Sequence, residues 1–233
     1  MEAIVLAGGF GTRLKSIVDD APKSMAQVNG HPFLEYLLNY LTGQGIRKVI
    51  LSVGYKNEQI RDYFKDHFKG MQICYAIEDE PLGTGGGIRN AFLQVEGDMA
   101  FTMNGDSLFR LDFNAMRKLH ASSEADITIA LRYNQDTDRY GTVNIDDKKK
   151  ITGFIEKIEG SGSGYINGGV YLINRSFFER QNFPVKFSME KDCFERYCKE
   201  AKIYGYLSHG YFLDIGIPED YLKAQDEFKR FED

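Results

Sequence analysis

The sequence predicts an α/β fold on a mostly parallel sheet, and two observations carry that prediction. Apolar runs at 3–7, 48–53, 71–77 and 99–103 read as buried strands, and each gap between them holds apolar residues at helical spacing. Alternation of this kind covers both faces of a parallel sheet with helices. Ligands of such sheets bind beyond the carboxyl ends of the strands.

Taken in order, the first run leads directly into Gly8, Gly9 and Gly11, three glycines within four positions. They let the backbone approach a ligand closely, and uncovered N–H groups beside a fixed cation suit a polyphosphate. Arg13 and Lys23 supply the cations. Phe33, Leu34, Leu37, Leu38 and Leu41 mark a first helix. Ile60, Tyr63, Phe64 and Phe68 mark a second, and Ile88, Ala91, Phe92 and Val95 a third. The run at 99–103 ends in Asn104-Gly105-Asp106, which falls on the same sheet edge as the glycine loop. The rest is more strand-rich, with strands at 126–133, 141–146, 150–157, 165–174 and 202–207. Helices are expected at about 175–181, 189–199 and 218–230. Ser161-Gly162-Ser163-Gly164 reads as a flexible loop too short to separate domains.

With 233 residues and 42% hydrophobic content, the chain can bury one sizeable core. A net charge of -5 leaves no broad basic face for nucleic acid, although an anionic small substrate is compatible with local cations or a bound metal. No stretch reaches the length of a membrane span, and the apolar run before the glycines is too short for a signal peptide. Cys74, Cys193 and Cys198 include no C-x-x-C pair. On an α-helix over 189–199, Cys193 and Cys198 lie about 140° apart, which is poor for a disulfide or a shared metal. All three read as reduced cysteines of a cytoplasmic protein.

The glycine loop does not spell the P-loop, since no Gly-Lys-Ser/Thr occurs, and Leu14 stands where a dinucleotide fingerprint needs its third glycine. Two acids are metal candidates. Asp106 follows a strand, and Asp214 lies in Phe212-Leu213-Asp214-Ile215-Gly216-Ile217-Pro218. Alone, Asp106 reads more readily as a turn residue after Asn-Gly than as a ligand, and Asp214 reads equally as a helix-start signal. A hard cation such as Mg²⁺ takes one or two carboxylates together with phosphate oxygens.

The spelling Gly8-Gly9-Phe10-Gly11-Thr12-Arg13-Leu14…Pro22-Lys23-Ser24-Met25 resembles the signature of sugar-1-phosphate nucleotidyltransferases. Ser24 replaces a second proline, which is expected to loosen the turn after Lys23. The run from Phe212 to Tyr221 resembles the family's second acidic motif, with Phe212 for Trp and Ile217 for Thr. Tyr140-Gly141, Glu156-Lys157 and Asn167-Gly168-Gly169-Val170-Tyr171 resemble its sugar-side motifs, Glu156-Lys157 without the usual proline. Glu78-Asp79-Glu80-Pro81-Leu82-Gly83-Thr84-Gly85-Gly86-Gly87 resembles a run in its guanylyltransferases, and its tail is expected to turn helix-start N–H groups toward the ligand.

The likeness runs from Ala3 to Tyr221. It implies a GT-A-like, Rossmann-type three-layer sandwich with a mostly parallel mixed central sheet. A single domain would hold a nucleotide half over about 1–110 and a sugar half over about 111–233. It further implies NDP-sugar and pyrophosphate formation from an NTP and a sugar 1-phosphate, with Arg13 and Lys23 catalytic and Mg²⁺ on Asp106 and Asp214. Leu6, Ala7, Gly8, Gly9, Gly11, Thr12, Glu78, Gly83, Thr84 and Asn104 would bind the nucleotide. Tyr140, Gly141, Glu156, Lys157, Asn167 and Gly168 would bind the sugar phosphate. Glu78 offers two acceptors and no donor, which matches the adjacent donors of guanine, so GTP is the expected donor. Pro32-Phe33-Leu34-Glu35-Tyr36 and Phe187-Ser188-Met189-Glu190-Lys191-Asp192 resemble the guanylyltransferases of D-glycero-D-manno-heptose 1-phosphate. Mannose 1-phosphate and a choline-phosphate cytidylyltransferase follow as alternatives. A metal-dependent glycosyltransferase is a reading from another class, resting on Asp136-Thr137-Asp138 in a loop taken to be solvated. No nucleic acid or membrane partner is expected, and a homodimer is compatible with the sequence.

Overall fold

A computed structural model of the chain describes residues 1–9, 21–137, 141–155 and 162–231. Strand β1 (Glu2–Leu6) is followed by a small hairpin of β2 (Gln27–Val28) and β3 (His31–Pro32) and by helix α1 (Phe33–Gly43). Next come β4 (Lys48–Val53), α2 (Asn57–Phe64), the short β5 (His67–Phe68), β6 (Met71–Ile77), α3 (Gly83–Phe92) and β7 (Met99–Asn104). The second half contains β8 (Ser107–Phe109), α4 (Phe113–Ser122), β9 (Ile127–Asn134), β10 (Thr142–Ile145), β11 (Ile151–Ile155) and β12 (Gly164–Asn174). It ends with α5 (Arg175–Arg180), a π-helical segment Met189–Glu195, β13 (Ile203–Leu207), β14 (Phe212–Asp214) and α6 (Pro218–Glu227).

Among the described residues, ten strands form one mixed sheet. Parallel β6, β4, β1 and β7 are neighbours in that order. Antiparallel β12 lies beside β7 and carries β9 on its other edge, and β13 runs parallel to β9. The expected mostly parallel mixed sheet is therefore present, and a single sheet joins both halves of the chain. Strand order reverses at β1: β4 and β6 are laid down on one side, then the chain crosses by α3 and places β7 on the other. Such a reversal opens a crevice between the two diverging loops at the strands' carboxyl ends.

Alternation along the strands produces the three layers. Ala3, Val5, Val49, Leu51 and Val53 face a cluster built with α1, α2, α4 and α6. Ile4 and Ile50, one step out of phase, face the cluster built with α3, α5 and the π-helical segment. No helix among the described residues is long and apolar enough to cross a membrane.

Four expectations need correction. Helix α4 was not anticipated, because its buried face is Phe113, Met116 and His120, and a histidine in the third place breaks the apolar period. Asp112 starts it by accepting from the Ala115 amide at 2.9 Å. The three-residue strands β8 and β14 are too short to show a period. The helix expected at 189–199 begins as π-helix instead, whose i→i+5 bonds unwind the turn. Cys193 and Cys198 consequently both face the core, where they remain free. Thr137, expected in a solvated loop, is buried and donates to the Gly162 carbonyl at 2.8 Å, while Asp136 is exposed.

His120 packs under α4 with Nδ1 2.8 Å from Thr128 Oγ1. Burial lowers its pKa from the ordinary 6.5. The folded state therefore resists a proton that the unfolded chain accepts, so stability is fully present above pH 6.5 and falls as the pH drops below it. The slope from one such group is limited to about 1.4 kcal/mol per pH unit. Urea titrations at a series of pH values should show this acid-side loss, and His120→Gln, which can still bond Thr128, should flatten it.

Candidate active site

The loops after β1 and β7 leave the sheet side by side, because Leu6 and Asn104 are register partners. The Gly105 amide donates to the Leu6 carbonyl at 2.8 Å, tying the two exits together. At Gly8 a side chain is excluded: a Cβ there would stand 2.9 Å from the Gly54 nitrogen. Gly9 is exposed. Beyond them opens a cleft of about 360 Å³ lined by Leu6, Gly8, Gly9, Glu78, Pro81, Gly83, Thr84, Asn104 and Asp106.

At Asp106, which lines this cleft, three charges converge. Lys23 Nζ lies 2.5 Å from Asp106 Oδ2 and 3.6 Å from Asp214 Oδ1. Asp214 reaches this point because β14 pairs with β8, setting Asp214 opposite Ser107, and because the Ile215 amide donates to the Asp106 carbonyl at 3.0 Å. Asp106 Oδ1 accepts from Ser107 Oγ at 3.2 Å, and Asp214 Oδ1 accepts from the Gly216 amide at 2.7 Å. Burial, and after it the negative charge of Asp106, push the Asp214 carboxyl above the ordinary carboxylate range, against the pull of Lys23. Ser24 does not loosen the turn after Lys23. Residues 23–25 form a 3₁₀ turn closed by Met25 N to Pro22 O at 2.8 Å, and the buried Ser24 hydroxyl donates to the Ala7 carbonyl at 3.3 Å. The residue that replaces proline thus ties the Lys23 turn to the glycine loop.

Glu78 does not present a bare carboxylate to the cleft. Its Oε1 accepts from Ser52 Oγ at 2.7 Å and its Oε2 from the Leu82 amide at 3.0 Å, closing the turn that leads into α3. Nor are the helix-start N–H groups all turned to the ligand edge. The Phe187 carbonyl accepts from the Gly85 and Gly86 amides at 3.0 and 3.3 Å. The Thr84 hydroxyl donates to Glu190 Oε2 at 2.9 Å and accepts from the Met189 amide at 2.8 Å.

A strap over 183–190 from the second half therefore clamps the start of α3. Arg89 reinforces it, donating to the carbonyls of Phe183 and Val185 at 3.0 and 3.3 Å with its guanidinium over the Phe187 ring. Gly83, at φ +73, takes a backbone conformation few side chains tolerate, and a Cβ on Gly85 would fall 2.2 Å from a Phe187 ring carbon.

Of the expected sugar-side residues, the described ones, Gly141, Asn167 and Gly168, are not among those lining this cleft. Asn167 turns its amide inward, donating to Tyr171 Oη at 3.0 Å and accepting from the Gly169 amide at 2.9 Å. Gly168 is buried in an irregular stretch of β12 that gives room to the Phe109 ring, so it offers no open backbone. Gly141 is half-buried just before β10. Ala7 is buried beneath the glycine loop, its amide donating to the Ser52 carbonyl at 2.8 Å. Gly11, Thr12, Arg13, Tyr140, Glu156 and Lys157 lie outside the described residues. Sequence reasoning missed Ser52, and it read Pro81, Phe187 and Glu190 only within longer motifs, without a part in the cleft or its support. A polar residue ending the apolar run at 48–53 was a usable signal for Ser52, whereas the contacts of Glu190 with Thr84 appear only once the chain is folded.

A nucleotidyl transferase family model matches residues 2–230. The chain belongs to that family. It is similar to D-glycero-alpha-D-manno-heptose 1-phosphate guanylyltransferase of Aneurinibacillus thermoaerophilus, with 47% identity over 99% of this chain and 100% of that protein. HddC from Yersinia pseudotuberculosis, solved in complex with GMP-PN, has 38% identity and a TM-score of 0.85 over 97% of this chain and 99% of that one. Mannose-1-phosphate guanylyltransferase of Mycobacterium tuberculosis is more distant, at 36% identity over 99% of this chain and 65% of that protein.

Because the strap packs directly on the glycines of α3, Gly85→Ala should destabilise the fold by about 1–3 kcal/mol through overpacking. In a double-mutant cycle with Phe187→Ala, urea unfolding should show clear non-additivity, since the truncated ring makes room for the methyl group. Additive losses would mean that the strap and the helix start are not in contact in solution.

Proposed function

We propose that this chain transfers a guanylyl group from GTP to D-glycero-α-D-manno-heptose 1-phosphate, releasing pyrophosphate. The observation that carries the reading is the convergence of Lys23 and Asp214 on Asp106, which lines the cleft together with Gly8 and Gly9. The choice of heptose and guanine is supported by the likeness to the heptose guanylyltransferase and to HddC with its guanine nucleotide analogue.

An oxygen of the sugar 1-phosphate attacks the α-phosphorus of GTP, and the bond from that phosphorus to the bridging oxygen of the β-phosphate breaks. The attacking group is already ionised at neutral pH, so no general base is needed, and the work lies in alignment and charge neutralisation. Gly8 and Gly9 floor the triphosphate site, Arg13 steadies the leaving pyrophosphate, and Lys23 serves the reacting phosphates. Tyr140, Gly141, Glu156, Lys157 and Asn167 are assigned to the sugar phosphate on the family resemblance alone.

Asp106 and Asp214 fit a divalent ion. Two carboxylates within reach of one point, completed by phosphate oxygens and water, are the donor set Mg²⁺ ordinarily uses. When bound, the ion supplies positive charge at the reacting phosphates. If both residues serve one ion, Asp106→Asn and Asp214→Asn should each abolish turnover, and the double variant should be little worse than either. Multiplicative losses in single-turnover rates would separate the two residues.

Glu78 lines the cleft with each oxygen accepting one hydrogen bond, which leaves each a second lone pair that supports a contact with a guanine edge. Pyrophosphate release assayed over four NTPs and a panel of sugar 1-phosphates should favour GTP with the heptose 1-phosphate. Glu78→Gln should erode the GTP:UTP ratio of kcat/KM by about 1–3 kcal/mol, as loss of a bidentate base contact does. A fall in turnover with every NTP and an unchanged ratio would leave Glu78 as the closure of the 78–82 turn alone.

A further inference from the structure

We propose that Lys23 is the resident counter-ion of the Asp106–Asp214 pair and makes metal binding at those residues depend on the nucleotide. This rests on the reading of the two aspartates as metal ligands and deepens it.

The Lys23 ammonium touches both carboxylates, at 2.5 and 3.6 Å. An Mg²⁺ ion would approach the same oxygens to about 2.0–2.1 Å, so the ion and Nζ compete for one space, and their like charges repel across it. The arrangement is built rather than incidental. Ser107 and the Gly216 amide orient the two carboxylates, and a Cβ at Gly216 would stand 3.1 Å from Nζ and 2.9 Å from Asp214 Oδ1. A side chain at 216 would crowd the ammonium and the Asp214 carboxylate.

The backbone of Lys23 is held by its 3₁₀ turn and by the Ser24 bond to Ala7, while its point charge is carried on a four-carbon stem with rotatable bonds. Asp106 lines the cleft together with Gly8 and Gly9, so a triphosphate seated there offers the ammonium a competing set of anionic oxygens close by. Drawn to the phosphates, Lys23 releases the carboxylates to the metal. Without nucleotide, the metal must displace a like charge already in place. The coupling is reciprocal, so the metal also strengthens nucleotide binding.

The test is Mn²⁺ binding to the full chain, read from the electron paramagnetic resonance of free Mn²⁺, with Asp106→Asn as the baseline. Without nucleotide, Lys23→Gln should bind Mn²⁺ more tightly than the wild type by roughly ten- to a hundredfold. Lys23→Arg, which keeps the charge, should remain as weak as the wild type. With a saturating non-hydrolysable GTP analogue, the gap between Lys23→Gln and the wild type should close to a few-fold. Should Lys23→Gln prove poorly stable, its urea midpoint should rise with added Mn²⁺ while that of the wild type stays put, because an ion that binds only the folded state stabilises it. Equal Mn²⁺ affinity of wild type and Lys23→Gln without nucleotide, lost in Asp106→Asn, would overturn the inference and leave the metal site standing. No Asp106-dependent Mn²⁺ binding in any chain, even with the analogue, would overturn the metal reading and this inference together.

Discussion

The position of β7 beside β1 is the constraint on which the rest of the structure depends. Had the crossover through α3 placed the strand of residues 99–104 outside β6, the glycine loop and Asp106 would leave the sheet several strands apart. Each strand is about 4.8 Å from the next, so side-by-side exit is what allows Gly8, Asn104 and Asp106 to share a cleft. The buried apolar alternation of β1, with Ala3 and Val5 on one face and Ile4 on the other, fixes its register against both neighbours.

A second level of organisation is electrostatic. Two partly buried carboxylates facing each other would repel, and Lys23 between them converts the repulsion into a compact triad. The triad draws on three separate pieces of chain: the 3₁₀ turn at 23–25, the end of β7 and the end of β14. The pairing of β14 with β8 and the bond from the Ile215 amide to the Asp106 carbonyl hold the third piece in register. Side chains of ordinary character are thereby given a common purpose by backbone hydrogen bonds some way from the charges.

The strap over 183–190 makes a comparable link at the other end of the cleft. It belongs to the second half of the chain, yet its Phe187 carbonyl caps the glycine start of α3 and its Glu190 holds Thr84. The two halves are thus joined both through the β7–β12 pairing in the sheet and across the top of the cleft. The strap thereby supports Thr84 and the turn at Gly83, both of which line the cleft.

Local chemistry was legible in the sequence by itself. The four apolar runs of the first half are found as strands and its three amphipathic segments as helices, since a buried strand or helix face must show its period in the residues themselves. Phe68, however, falls in β5 beyond α2, and Val95 lies past the end of α3. The glycine run, Lys23 and the two aspartates stood out because their spelling resembles one family. What only the tertiary structure decided is which groups remain open to a ligand. Glu78 turned to Ser52 and Leu82, Asn167 to Tyr171 and Gly169, and the amides of Gly85 and Gly86 to Phe187. Each of these groups is polar and partly buried, and such a group takes whichever hydrogen-bond partner the fold brings within reach. Those partners come from remote segments, so no local pattern announces them.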